Sequence, residues 1–273
     1  MIVHGLTVVP PPLRAQAGYH MLAAKGQAAT KQGVVPNLLS GSLAGVYVAF
    51  GAMVSLSVAS ALPGVAESNP GLQKLIFGAL FPIALINIVA TGSQLFTGNT
   101  ASVAAALFEG LIEPNDLIRN WVVTYAGNLF GSLVAVEAFK YTGLLAGPLA
   151  KMAGGIAVAK CKSDFMPTVV KGIFANWLVC LAAFMATCES DLSGKILGCW
   201  FPISAFVLCG FEHSIANLFL IPLGMRAGAD VSTMDIVMKN VVPVTIGNII
   251  AGAVVFAASY SFLYGKLGGH SKD

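Results

Sequence analysis

The chain has 273 residues, of which 56% are hydrophobic and only 10% charged, with a formal net charge of +3 and a mean hydropathy of +0.81. Soluble domains carry about a quarter charged residues, so this composition excludes a water-solvated surface and makes lipid the natural solvent. The small charge and the lack of a long Lys/Arg run exclude a nucleic-acid partner, and the five cysteines, Cys161, Cys180, Cys188, Cys199 and Cys209, form no C-x-x-C pair, so no metal site, disulfide framework or cofactor is expected.

In chain order, residues 1–35 carry Pro10-Pro11-Pro12 and scattered basic residues without the compact apolar core of a secretory signal. They read as an N-terminal segment, amphipathic or interfacial. A transmembrane domain follows over 36–265, and 266–273 form a tail. A helix needs about 20 apolar residues to cross the hydrocarbon core. Six segments qualify: 36–62, 75–108, 118–143, 168–188, 196–225 and 240–264. An even count puts both termini on one side, with seven of the fifteen Lys and Arg residues there and eight opposite. The positive-inside rule is tied and leaves orientation open.

The second and fifth segments are too long for a simple span and are polar in the middle. The second holds Thr91-Gly92-Ser93-Gln94 and Thr97-Gly98-Asn99-Thr100; the fifth holds Glu212-His213-Ser214 and Asn217. Backbone that leaves the helix at membrane depth survives only where protein or a water-filled cavity satisfies it. Two such breaks suggest a pathway.

The chain also repeats. Phe81-Pro82-Ile83 recurs as Phe201-Pro202-Ile203, Asn120 as Asn240, and Gly127-Asn128 as Gly247-Asn248, all at a shift of 120, while Gly41 and Ala44 match Gly172 and Ala175 at 131. The halves run over about 36–143 and 168–264. Three spans per half require the second half to enter the membrane from the opposite side, and matched broken segments in inverted repeats mark substrate sites. Carried across at 120, Gly92-Ser93 falls on Glu212-His213 and Thr97 on Asn217. The expected fold is an all-α membrane protein: six helices as an inverted 3+3 repeat with broken second and fifth helices.

Four ordered motifs then resemble the formate/nitrite transporter family. They are Gly92-Ser93-Gln94-Leu95-Phe96-Thr97-Gly98-Asn99-Thr100, Asn176-Trp177-Leu178-Val179-Cys180, Phe211-Glu212-His213-Ser214-Ile215-Ala216-Asn217 and Pro243-Val244-Thr245-Ile246-Gly247-Asn248. Leu62-Pro63-Gly64-Val65 and Asn69-Pro70-Gly71 look most like the algal branch, whose members carry nitrite or bicarbonate. The resemblance implies an aquaporin-like protomer in a homopentamer, each protomer with its own pore. It also implies a central histidine at His213, with Thr97 and Asn176 beside it. Hydrophobic constrictions are implied at Leu85 with Phe96 and at Phe81 with Phe206, and supporting positions at Glu212, Asn217 and Lys160. Gln94 departs from the family, which often has an acid there. An integral membrane protein is expected, of a chloroplast envelope if algal and otherwise of a plasma membrane.

These residue types suit small anions. A bare anion in low dielectric is costly, and a histidine either attracts it or hands it a proton. Thr97 and Asn176 are short polar groups able to hold an imidazole or substrate oxygens, Phe and Leu exclude water and hydrated cations, and Lys160 concentrates anions. Nitrite is the expected substrate, with formate and bicarbonate served by the same chemistry. Plainer roles stand beside these: Glu212 as an acceptor for backbone amides of the break, Thr97 and Asn99 as helix caps, Lys160 on a solvated loop. An aquaporin-like pore for neutral solutes needs two Asn-Pro-Ala starts, and the one Asn-Pro is Asn69-Pro70, in a loop. An intramembrane enzyme using Glu212 and His213 is disfavoured because adjacent helical residues do not face each other.

Overall fold

The structure, a computed structural model, describes residues 2–3, 6–7 and 11–270, with side chains from residue 15 onward. Residues 1, 4–5, 8–10 and 271–273, which belong to the N-terminal segment and the tail, lie outside the described residues. Apart from a two-residue antiparallel pairing of Ile2–Val3 with Leu6–Thr7, the described elements are helical.

In chain order these are α1 (Pro11–Thr30), α2 (Val34–Ser60), α3 (Pro63–Ser68), α4 (Pro70–Leu80), α5 (Ile83–Thr91), α6 (Phe96–Phe108), α7 (Pro114–Tyr141), α8 (Gly147–Lys160), α9 (Phe165–Cys188), α10 (Leu192–Cys209), α11 (Ser214–Arg226) and α12 (Thr233–Tyr264). Among the described residues six spans are long and apolar enough to cross a membrane: α2, α4 with α5 as one unit, α7, α9, α10 and α12. Pro82, which has no N–H to donate, accompanies the turn that parts α4 from α5, whereas α10 runs on through Pro202. α12 carries two π-helical stretches, Ile236–Val241 and Ile250–Ala258.

The second and fifth spans are broken, at Gly92–Leu95 and Gly210–His213, and each continues as a thirteen-residue helix, α6 or α11. Thirteen residues rise about 20 Å, short of the roughly 30 Å core, so each half-helix starts inside the membrane. Both are buried on nearly every side, as a helix without a polar face must be.

The halves repeat in full. α1 packs on α6 as α8 packs on α11, and α2 packs on α7 as α9 packs on α12. Close approach there is set by glycine. A Cβ on Gly127 would meet the Leu38 carbonyl at 2.6 Å, and one on Gly247 would collide with the Val169 carbonyl. The repeat is therefore larger than three spans a side, because α1 and α8 are its matching first elements. α1 occupies most of the stretch read as an N-terminal segment, and it buries Tyr19, Leu22 and Ala23.

The register through the breaks also differs from a uniform shift of 120. Left-handed Gly92 (φ 70°) corresponds to Gly210 (φ 73°), the extended cap Leu95 to the extended cap His213, and α6 to α11, all at 118. Leu95, not Ser93, is thus the partner of His213, and Asn99, not Thr97, is the partner of Asn217. The first half has two more residues between its Phe-Pro-Ile and its break, and the second has two more between its half-helix and the last span.

Candidate functional site

Each break frees backbone groups, and side chains from neighbouring spans take them up. At the first, Phe96 N–H donates to Asn128 Oδ1 (2.9 Å), Gln94 N–H to Ser40 Oγ (3.1 Å), and the Gln94 carbonyl accepts from Asn128 Nδ2 (2.9 Å). At the second, Ser214 N–H donates to Asn248 Oδ1 (2.9 Å), Glu212 N–H to the Lys171 carbonyl (3.3 Å), and the Glu212 carbonyl accepts from Asn248 Nδ2 (3.2 Å). The half-helix N-termini then meet: His213, the residue before α11, bonds through Nε2 to the hydroxyl of Thr97 on α6 at 2.9 Å. Helix N-termini carry partial positive charge, and here two converge on one imidazole.

The ring's protonation follows from its neighbours. Ala216 N–H donates to His213 Nδ1 (3.1 Å). A backbone N–H is only a donor, so Nδ1 is unprotonated and the neutral ring carries its proton on Nε2, facing Thr97. His213 is therefore at once a helix cap and a hydrogen-bond donor to Thr97.

Two cavities meet at this ring. The smaller, about 20 Å³, is lined by Leu85, Leu95, Val179, Phe81, Phe206 and His213 among others; that is room for about one water. The larger, about 170 Å³, is bounded by Phe81, Phe206, Phe211, Lys160, Asn217 and His213 among others. Phe81 and Phe206 stand edge to face at 6.0 Å on the shared wall, and Phe206 stacks on His213 at 5.6 Å.

Lys160 and Asn217 thus stand in the wider cavity. Lys160 Nζ donates to Glu212 Oε2 at 2.9 Å, and the same oxygen accepts from Asn217 (2.7 Å) and Asn240 (3.4 Å). Lys160 is not on a solvated loop: it ends α8 and is largely buried. Nor does the Glu212 carboxylate serve the amides of the break, which go to Asn248 and Lys171. Asn99 lies inside α6, not at its cap, and bonds Gln94 and Asn120. Asn176 sits behind Thr97, donating to the Thr97 carbonyl (3.3 Å), Thr100 Oγ1 (2.9 Å) and the Asn248 carbonyl (2.6 Å); neither Asn176 nor Thr97 is on the wall of these cavities.

Phe96 lies elsewhere. Its ring packs edge-on against Tyr125 (4.9 Å) and Trp121 (6.2 Å), lining an apolar recess between α7 and α12. Leu95 takes the place beside Leu85 that was expected of Phe96. Phe96 is the first residue of α6 and Leu95 the extended cap before it, so their side chains leave the backbone in different directions.

Sequence reasoning also missed Lys25. It occupies on α1 the place of Ile156 on α8, a lining residue of the wider cavity, at the 131 shift. Its side chain reaches solvent yet is walled in by protein near Cys199 and Lys195. That burial pushes its ammonium pKa down, and Lys195 adds to the effect. The signal available was the repeat itself, once α1 is counted in it. Among the described residues no His/Cys/Asp/Glu group has the arrangement of a metal site.

Residues 16–262 match a family model described as formate/nitrite transporter. The chain is 40% identical to a probable formate transporter of Methanothermobacter thermautotrophicus, over 82% of this chain and 87% of that one. Among solved structures it is similar to an FNT family ion channel (TM-score 0.83, 28% identity, 90% of this chain and 98% of that one). It is also similar to a pentameric formate channel with formate bound (TM-score 0.74, 29% identity, 85% and 97%).

Proposed function

The chain belongs to the formate/nitrite transporter family, and from that premise we propose that it conducts formate and nitrite as weak-acid anions past His213, one pore per protomer of a homopentamer. It is an integral membrane transporter of small anions, not an enzyme. The observation that carries the proposal is the meeting of two half-helix N-termini at one imidazole, between the Phe81–Phe206 wall and the Leu85–Leu95 end.

The physics runs from the mouths inward. Lys160 stands in the wider cavity and raises the local anion concentration there, and Lys25, at the repeat-related place on α1, would do the same at the opposite end. An anion entering the apolar constriction loses water, and desolvation raises the pKa of a carboxylic or nitrous acid. The anion therefore takes a proton from the water at the mouth and passes the phenylalanines and leucines as the neutral acid. His213, which lines both cavities and whose Nε2–H the Thr97 hydroxyl orients, supplies a hydrogen bond in place of those the substrate oxygens lose on leaving water. Of attraction by an imidazolium and help from a neutral donor, the Nδ1 cap bond supports the second.

Formate stands beside nitrite because the relatives that name a substrate name both: formate in the probable formate transporter and the formate-bound channel, nitrite in a transporter of Escherichia coli. Bicarbonate, the algal branch and the chloroplast envelope draw no support from these relatives. The test is uptake into proteoliposomes. Formate and nitrite should enter faster as external pH falls, while glycerol does not enter. Glycerol flux without anion flux would overturn the proposal in favour of a neutral-solute pore.

A further inference from the structure

Asn128 on α7 and Asn248 on α12 are fully buried, stand 120 residues apart, and carry the same three hydrogen bonds. Asn248 accepts from Ser214 N–H (2.9 Å) and donates to the carbonyls of Glu212 (3.2 Å) and Gly172 (2.8 Å). Asn128 accepts from Phe96 N–H (2.9 Å) and donates to the carbonyls of Gln94 (2.9 Å) and Gly41 (2.8 Å). Each amide therefore grips the residue before and the residue after one extended cap, which is His213 in the second half and Leu95 in the first.

We infer that Asn128 and Asn248 are positioning residues for transport, a matched pair of brackets that fix the backbone of the two caps. Only the side chain at each cap then decides what that half contributes to the pore. The inference rests on the anion-pore reading above. Asparagine suits the task because one short amide offers an acceptor and two donors. The break presents a free N–H on one side of the cap and free carbonyls on the other. Aspartate lacks the donors, and an aliphatic residue would leave all three buried groups unpaired.

The brackets differ in one connection. Asn176 donates to the Asn248 carbonyl (2.6 Å) and to that of Thr97 (3.3 Å), so the second bracket also holds the hydroxyl-bearing residue that meets His213 Nε2. At the 131 shift Asn176 corresponds to Gly45, where a Cβ would run into the Asn128 carbonyl. The first bracket is closed by backbone packing and the second by a polar link. Disturbing Asn248 therefore moves the imidazole relative to its partner, whereas disturbing Asn128 moves an apolar plug.

The experiment compares Asn248→Asp and Asn128→Asp in the full chain, reconstituted in liposomes. Formate uptake is followed across pH, with lactate as a larger probe anion. For Asn248→Asp the expected result is a tenfold or greater loss of rate, with the pH midpoint moved by half a unit or more. For Asn128→Asp the midpoint stays put and the lactate-to-formate ratio rises severalfold. Equal losses with wild-type midpoints and ratios in both variants would overturn the inference. If either variant fails to assemble, hydrogen exchange on the wild-type protein decides. The Phe96 and Ser214 amides, free donors in an unbracketed helix start, should be strongly protected, and exchange at the rate of an open loop would refute the brackets. Failure of the wild-type protein to move formate or nitrite at all would instead remove the pore reading and leave the exchange result standing.

Discussion

At the first break a chain of neutral amides surrounds the cap. Asn99 donates to Gln94 (2.8 Å) and to Asn120 (3.0 Å), and Asn120 reaches the Ala29 carbonyl (3.2 Å). At the second the same positions read Asn217 to Glu212 (2.7 Å), Asn217 to Asn240 (2.8 Å), and Asn240 to the Lys160 carbonyl (2.9 Å). Gln94 has become Glu212, Ala29 has become Lys160, and Leu95 has become His213. The polar backbone scaffold is thus nearly symmetric. What differs is an ion pair and an imidazole, placed on one side of an otherwise duplicated frame. Function in this pore comes from a few side chains on a scaffold that both halves share.

Making the halves alike at the cap should have the largest effect. His213→Leu copies the first half and removes the imidazole that lines both cavities. Leaving a buried polar group without its partner costs about 1–3 kcal/mol, so formate flux should fall about 5- to 100-fold while the protein still assembles. Flux within twofold of wild type would show that the imidazole does not distinguish the halves.

The ion pair comes next. Lys160→Ala leaves a largely buried carboxylate unpaired, which should cost up to about 3 kcal/mol, read as a lower unfolding temperature. The double variant Lys160→Ala with Glu212→Gln copies Ala29 and Gln94 and should recover most of that loss. No recovery would mean that the pair does more than balance charge.

Lys25→Gln sharpens the comparison at the mouths, since Lys160 is paired within its cavity and Lys25 makes no ion pair among the described residues. Formate uptake should fall severalfold at low ionic strength and much less at about 1 M salt, where the Debye length is about 3 Å. A loss independent of salt would contradict an electrostatic role. The smallest effect belongs to Gly92→Ala and Gly210→Ala. Each places a Cβ at a positive φ and should cost about 1–2 kcal/mol, equally in both halves. A large difference between them would break the symmetry of the scaffold.

Most of the fold was legible because hydropathy, span length and a repeated Asn and Gly pattern all act at long range along the chain. The breaks were legible because Gly92, Gln94, Glu212 and His213 are costly at membrane depth unless something satisfies them. The register was harder. Phe81-Pro82-Ile83 and Gly127-Asn128 share a shift of 120, and the slip to 118 between them shows only in scattered identities such as Gly92 with Gly210 and Asn99 with Asn217. That slip hid the equivalence of Leu95 and His213. Phe96 was taken for the constriction because adjacent bulky residues at a helix start look interchangeable until their directions are known. α1 and α8 were missed as repeat elements because neither is long and apolar enough to read as a span. The roles of Asn128 and Asn248 depend on which backbone groups come free, and only the folded chain shows that.

Central to the account is that the neutral His213 ring and the Thr97 hydroxyl form the polar step of a pore crossed by weak acids. Formate uptake into proteoliposomes, measured for the wild-type protein and for Thr97→Val from acid to neutral pH, tests this most directly. The account predicts that wild-type flux rises as pH falls and that loss of the hydroxyl lowers it tenfold or more at every pH. A Thr97→Val protein with wild-type rates and pH profile would contradict it.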